Sequence, residues 1–126
     1  MNWEYVILKA RNLISVRGSG KFSVVSFEEM VSDIQSDEQW QPTMDRLIDF
    51  SILDLTETTS DDIRAAAEIY RKYNTQIGCC RIAVVFGREA DLGLGRMYES
   101  FLESDILSTF KSFRTADEAR HWLAEE

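Results

Sequence analysis

The feature of the sequence that most constrains the fold is the run Arg81-Ile82-Ala83-Val84-Val85-Phe86, which is apolar at every position after the arginine. A strand with apolar side chains on both faces needs cover on both faces, which is typical of an interior strand in a parallel sheet. Parallel strands are joined by crossover connections, which are usually helices. The run therefore predicts an α/β protein in which residues 81–86 form a central strand.

Alternating strand and helix patterns surround this run. Further strands are predicted at Trp3–Lys9, Leu13–Arg17, Arg46–Asp54 and Ile106–Phe113, and Gly18-Ser19-Gly20 is expected to end the second of them. Helices are predicted to begin at Ser26, Thr59 and Thr115, and the apolar stripe Leu94, Met97, Tyr98, Phe101 and Leu102 predicts another helix. The last helix is short, so we expect Trp122 or Leu123 to dock it.

The element order ββαβαβαβα predicts a single mixed, mainly parallel sheet with one antiparallel edge. The chain has 126 residues, which is the usual size of one domain. Residues 1–126 are therefore assigned to one α/β domain.

Charge narrows the classes of partner. The formal net charge is −8, so a nucleic-acid partner is not expected, because phosphate binding needs a basic surface. Residues 28–62 contain eleven acidic residues and one basic residue, Arg46, which indicates either a solvated surface or a surface for a basic partner.

No stretch is apolar enough to insert in a membrane, and the N-terminus does not resemble a signal peptide. The adjacent Cys79 and Cys80 favour a reduced, cytoplasmic protein.

Groups that carry catalysis are sparse. His121 is the single histidine, and Cys79 and Cys80 do not have the spacing of zinc ligands or of a redox motif. Gly93-Leu94-Gly95-Arg96 lacks the third glycine of a dinucleotide-binding turn and is interpreted as a flexible helix entry. The carboxylates of Asp49 and Asp54 are candidates for acid–base work or Mg²⁺ binding, and the simpler interpretation places them in solvent or on a hydrogen-bond donor. The sequence predicts no catalytic residue, no metal site and no cofactor.

Three segments together resemble the SpoIIAA-like (STAS/SEC14) family of small bacterial domains. They are Leu47-Ile48-Asp49, the strand at Arg81–Val85, and the segment from Phe113 through Glu118-Ala119 to Trp122-Leu123. The resemblance spans nearly the whole chain and implies a SpoIIAA/STAS-like fold. It also implies a non-enzymatic regulatory or protein-interaction domain, since STAS relatives include anti-sigma-factor antagonists switched by serine phosphorylation in an Asp-Ser-Ser-Gly motif.

The resemblance points to two candidate sites. The loop that would correspond to the phosphorylated motif contains Thr58, Thr59 and Ser60 after Glu57, so the family's Asp, serines and glycine are replaced. A phosphate there would lie beside Glu57, Asp61 and Asp62 and would repel an acidic partner or disturb the helix start. The SEC14 side of the family binds lipids between sheet and helices, which makes Tyr98, Phe101 and Leu102 candidates for a pocket.

Three functional hypotheses follow from the sequence. The first is a regulatory or interaction domain, the second is a carrier of a small apolar or lipid-like ligand, and the third is an enzyme that uses Asp49 and Asp54. The expected partners are another protein, a small apolar ligand, or a second copy of the chain in a homodimer.

Overall fold

The fold is a five-stranded mixed sheet with four α-helices, as a computed structural model of residues 1–104 and 106–125 shows. The elements in chain order are β1 (Asn2–Leu8), β2 (Leu13–Lys21), α1 (Val24–Ser36), β3 (Asp45–Asp54), α2 (Ser60–Ile77), β4 (Arg81–Phe86), α3 (Glu89–Phe101), β5 (Thr109–Phe113) and α4 (Ala116–Leu123). A short 3₁₀ turn at Lys9–Arg11 joins β1 to β2, and Asn12 closes it in the left-handed conformation.

The strands lie in the order β1-β2-β3-β4-β5. β1 is antiparallel to β2, and each of the other neighbouring pairs is parallel. This confirms the predicted mixed sheet with one antiparallel edge and places Arg81–Phe86 between β3 and β5.

The two faces of the sheet are covered unequally. Helices α1, α2 and α3 pack side by side on one face, which we call the three-helix face. Helix α4 packs on the opposite face, over β3, β4 and β5. There, a small cluster of Leu47, Ala83, Val85 and Phe113 surrounds the fully buried Ala119. Among the described residues, no helix is long and apolar enough to cross a membrane.

Side chains on the three-helix face align in rows across the strands, because paired residues of neighbouring strands point to the same side. The first row is Ile14, Arg46, Ile82 and Phe110. The second row is Val16, Ile48, Val84 and Ser112. The third row pairs Phe50 with Phe86. Arg46 is therefore a charged residue in an otherwise apolar first row.

The prediction that Gly18-Ser19-Gly20 ends β2 is wrong, because β2 continues to Lys21. The pairing of β2 with β3 shifts by one residue between Arg17 and Ser19, so the strands continue past an irregularity. A Cβ on Gly18 would lie 2.7 Å from Cε1 of Phe50. Glycine is needed at position 18 because the Phe50 ring lies where a side chain would be, and it does not end the strand.

Several element starts also differ from the sequence prediction. Helix α1 begins at Val24, since the Ser23 side chain, and not that of Ser26, accepts the capping hydrogen bond, from the Ser26 amide at 3.3 Å. Strand β5 begins at Thr109 instead of Ile106, because the Leu107 amide donates to the Asn74 side chain, 2.9 Å away. Helix α2 begins after Thr59, as predicted.

Replacement of Trp122 by alanine is expected to lower the free energy of unfolding by about 2–3 kcal/mol. Trp122 is half-buried, and its ring centroid lies 5.7 Å from that of Phe113 and 5.7 Å from the guanidinium carbon of Arg81. A fully buried tryptophan would cost about 3–5 kcal/mol. Chemical denaturation of Trp122→Ala beside His121→Ala, an exposed neighbour expected to stay within about 0.5 kcal/mol of wild type, measures the difference. Equal midpoints for the two variants would contradict the docking of α4 through Trp122.

Candidate functional site

A cavity of about 60 Å³ lies between the three-helix face of the sheet and the helices that cover it. The strands contribute Ile48, Phe50, Val84, Phe86, Phe110 and Ser112. The helices contribute Phe27 from α1, Ile63 and Ala66 from α2, and Leu94, Gly95 and Tyr98 from α3. Phe22 and Leu55 complete it near the carboxyl ends of β2 and β3. The cavity therefore lies over the second and third rows of the sheet.

The lining is almost entirely apolar, which decides what can occupy the cavity. Holding one water molecule takes at least about 10–15 Å³ and two to four polar partners. The volume is sufficient for water, but aromatic and aliphatic side chains provide almost no hydrogen bonds. An apolar group is thus a better occupant than water.

The polar groups of the lining gather at the β5 edge, where Glu99, Lys111 and Ser112 lie. The Ser112 hydroxyl donates a hydrogen bond to Oε2 of Glu99 at 2.9 Å. Partial burial raises the pKa of Glu99, and this hydrogen bond partly opposes the rise. These residues form a polar rim on an apolar interior, an arrangement common in ligand pockets.

Gly95 brings α3 close to the sheet beside the cavity. A Cβ at this position would lie 2.5 Å from Cε2 of Phe86 and 2.6 Å from the Ser112 hydroxyl oxygen. Two residues earlier, a Cβ on Gly93 would meet no atom within 4 Å. The interpretation of Gly93-Leu94-Gly95-Arg96 as a flexible helix entry is therefore wrong, because the segment lies inside α3 and its second glycine allows the helix to pack on the sheet.

A second polar feature, the Arg46–Gln35 pair, lies in the core next to the cavity. Arg46 is 3% exposed and Gln35 is 7% exposed. One guanidinium nitrogen of Arg46, Nη2, donates to the Gln35 side-chain oxygen, whereas Nε of Arg46 and Nε2 of Gln35 are buried with no hydrogen-bond partner. No carboxylate within residues 1–104 and 106–125 forms an ion pair with Arg46. Burial lowers the pKa of Arg46.

Two tyrosines, Tyr70 and Tyr98, pack on Phe110, which lines the cavity and belongs to the same row of the sheet as Arg46. The rings of Tyr70 and Tyr98 both meet Phe110 edge-on, with centroids 4.8 Å and 5.3 Å away. The Tyr70 hydroxyl donates to Ser108 at 2.6 Å, and burial raises the pKa of Tyr70 to about 12. The Tyr98 hydroxyl makes no hydrogen bond to the described part of the chain, and burial raises its pKa as well. The positive charge of Arg46 opposes both shifts, as expected for neighbouring groups.

The three pocket candidates from the sequence occupy different environments. Tyr98 lines the cavity. Phe101 is half-buried at the end of α3, with the guanidinium carbon of Arg64 4.6 Å from its ring centroid. Leu102 is fully buried in the core just after that helix. The structure therefore brings Tyr98 to the cavity but not the other two.

The candidate loop lies at the start of α2. The Thr59 hydroxyl accepts from the Asp62 amide at 3.1 Å, and the Asp62 carboxylate accepts from the Thr59 amide at 3.0 Å, a complete capping box. The Thr58 amide donates to the carbonyl of Leu55 at 3.1 Å. Thr59 and Ser60 are exposed, and Thr58 is half-buried. Lys21 forms an ion pair with Glu57 beside them.

The remaining candidates for chemistry are dispersed. The Asp49 carboxylate accepts from the Ser51 amide at 2.9 Å, and that of Asp54 accepts from the Thr56 amide and hydroxyl. His121 is exposed on α4, Cys79 is exposed and Cys80 is buried, with both thiols free. Across the residues that the structure describes, no three His, Cys, Asp or Glu side chains are grouped to hold a metal ion.

Sequence reasoning did not identify the buried Arg46–Gln35 pair. A signal for Arg46 was nevertheless present, because Arg46 alternates with Ile48 and Phe50 along one strand. With a period of two, these three side chains share a face. An arginine on a face of apolar residues indicates a buried charge, although its position beneath α1 required the structure.

Comparisons with known proteins support the fold. No protein-family model and no curated protein matches the chain. The structure is similar to that of an uncharacterised protein of the DUF3478 family with a SpoIIAA-like fold from Shewanella loihica PV-4. The TM-score is 0.63, and the two sequences are 20% identical over 97% of this chain and 94% of the other. At 20% identity, the similarity shows the fold alone, which is SpoIIAA-like, as the sequence resemblance implies.

Alanine substitutions at the two glycines of α3 should have opposite effects on stability. Gly93→Ala should raise the free energy of unfolding by about 0.5–1 kcal/mol, because alanine restricts the unfolded chain and favours the helix. Gly95→Ala should lower it by about 1–3 kcal/mol, because the new methyl group would overlap Phe86 and Ser112. Thermal or chemical denaturation of both variants measures the contrast. If Gly95→Ala is as stable as Gly93→Ala, α3 does not lie this close to the sheet.

Proposed function

We propose that this domain binds a small apolar ligand in the cavity beneath α3 and does so without catalysis, as a cytoplasmic regulatory or carrier module of STAS type. The observation that carries the proposal is the cavity, whose lining is apolar apart from the rim at Glu99, Lys111 and Ser112. The lining can contact an apolar ligand through its carbon atoms. It contains no cluster of reactive side chains.

The volume limits the size of the ligand. An engineered apolar cavity of about 150 Å³ stays dry and binds benzene. A cavity of about 60 Å³ is smaller, so a bound ring must displace a side chain or extend toward the rim. The expected ligand is a single ring or a short alkyl chain rather than a whole lipid.

Filling the cavity from α2 should abolish ligand binding. Ala66 is 2% exposed and lines the cavity, so Ala66→Leu places three additional carbon atoms in it. Benzene at ten times its Kd should stabilise the wild type by about 1.4 kcal/mol and the variant not at all. Ala65→Leu is the matched control, because Ala65 adjoins Ala66 and is not part of the lining. Differential scanning calorimetry with and without benzene gives the comparison, and native mass spectrometry of protein from its own cells identifies the ligand.

Loss of benzene stabilisation in both leucine variants would indicate a general effect of the larger side chain on packing. A wild-type protein whose melting temperature does not respond to benzene would contradict binding in the cavity. Retained stabilisation in Ala66→Leu would place the binding site elsewhere.

The loop of Thr58, Thr59 and Ser60 carries a second candidate function, binding of a protein partner. The favouring observation is the exposed Ser60 hydroxyl at the first position of α2, which no described side chain engages. Thr59 is already committed to the capping box. A phosphate on Ser60 would add about −1.5 to −2 charge next to Asp61 and Asp62 and repel an acidic partner.

Substitutions at the loop separate capping from partner binding. Thr59→Ala should lower the free energy of unfolding by about 1 kcal/mol through loss of the cap, whereas Ser60→Ala should stay within about 0.5 kcal/mol of wild type. In a pull-down from the native cell extract, Ser60→Glu and Thr58→Glu should lose a partner that their alanine counterparts retain. If the glutamate and alanine variants capture the same proteins as wild type, this loop is not an interface.

A further inference from the structure

The buried Arg46–Gln35 pair lacks an anionic partner within the described chain. A guanidinium has five N–H donors and stays protonated in proteins, and here one nitrogen donates to Gln35 while Nε has no partner. An isolated charge is costly to bury unless it is paired and hydrogen-bonded. Its neighbours in the first row, Ile14, Ile82 and Phe110, have apolar side chains that accept no hydrogen bond.

The position of the pair relates it to the cavity. Arg46 precedes Ile48, which lines the cavity, by two residues on the same face of β3, a separation of roughly 7 Å along the strand. Tyr98 marks the boundary between the cavity and the pair, since it lines the cavity and packs edge-on against Phe110 of the first row, whereas Arg46 and Gln35 do not line the cavity. Its hydroxyl, which has no hydrogen-bond partner in the chain described, is a second donor at this boundary.

We propose that Arg46, with Gln35 and Tyr98, forms a head-group site for a small carboxylate whose apolar body occupies the cavity. This inference rests on the proposed function and specifies the chemical class of its ligand as an amphipathic monocarboxylate. A carboxylate accepts two parallel hydrogen bonds from a guanidinium, and the Tyr98 hydroxyl can donate a third.

The preference for a carboxylate over a matched neutral compound tests this assignment. Isothermal titration calorimetry compares 3-phenylpropanoate with 3-phenylpropanamide, which share a body and differ in charge. The wild type should bind the carboxylate at least about tenfold more tightly, a ratio equivalent to about 1.4 kcal/mol. Acetate, which has the head group without the body, should bind at least about 100-fold more weakly than 3-phenylpropanoate.

Substitutions at three positions test whether the buried guanidinium causes the preference for the carboxylate over the amide. Arg46→Met should equalise the affinities for the two compounds, and it should fold, because apolar residues often replace buried charges without loss of stability. Arg64→Met is the control, since it removes an exposed arginine of α2, and the preference should persist. Tyr98→Phe, which keeps the ring, should reduce the affinity for the carboxylate about three- to tenfold and that for the amide by less, because a hydrogen bond to a charged acceptor is the stronger one.

The outcomes distinguish this proposal from the one on which it rests. Equal binding of the acid and the amide by wild type would overturn the head-group site and leave the apolar cavity as the binding site. A preference that survives in Arg46→Met would also overturn it. Binding of neither compound, together with no response to benzene, would refute both proposals.

Discussion

The need to bury both faces of β4 is the constraint on which the rest of the structure depends. Five of its six residues are buried, so this strand must lie between two others and be covered from both sides. Helices α1, α2 and α3 cover one face, and α4 covers the other. The three-helix layer contains the cavity, which is lined by the small residues Ala66 and Gly95 of the helices and by aromatic rings of the strands.

The sequence was sufficient to predict the sheet, the antiparallel edge and the helices, because those features follow from the periodicity of apolar residues. It failed where the cause is a contact between distant residues. Gly18 was expected to end a strand, but it lies within β2 because Phe50 occupies the space of a side chain. The sequence resemblance implied a pocket between sheet and helices, but its volume could not be predicted, since the volume depends on how closely α3 approaches the sheet. Of the residues proposed to line a pocket, Tyr98 lines the cavity, and Phe101 and Leu102 do not.

Arg46 shows why a stability argument alone does not account for this core. Removing a guanidinium from water costs several kcal/mol, and its one hydrogen bond to the uncharged Gln35 side chain returns about 1.5–3 kcal/mol at most. An aliphatic residue in the first row would fill the same space and avoid this penalty. A group that weakens the free protein but binds an anion is instead what a ligand site requires, since functional sites commonly depart from the choices that maximise stability.

The cavity and the loop of Thr58, Thr59 and Ser60 are physically connected. Leu55 lines the cavity, and its carbonyl accepts the amide hydrogen bond of Thr58 at 3.1 Å. Ile63 and Ala66, which also line the cavity, lie on the helix that the Thr59 capping box begins. A ligand changes the loop only to the extent that it binds two loop conformations with different affinity. A ligand bound in the cavity, as proposed, would contact Leu55 and Ile63, where such a difference can arise, so the proposed carrier and interaction roles are compatible in one domain.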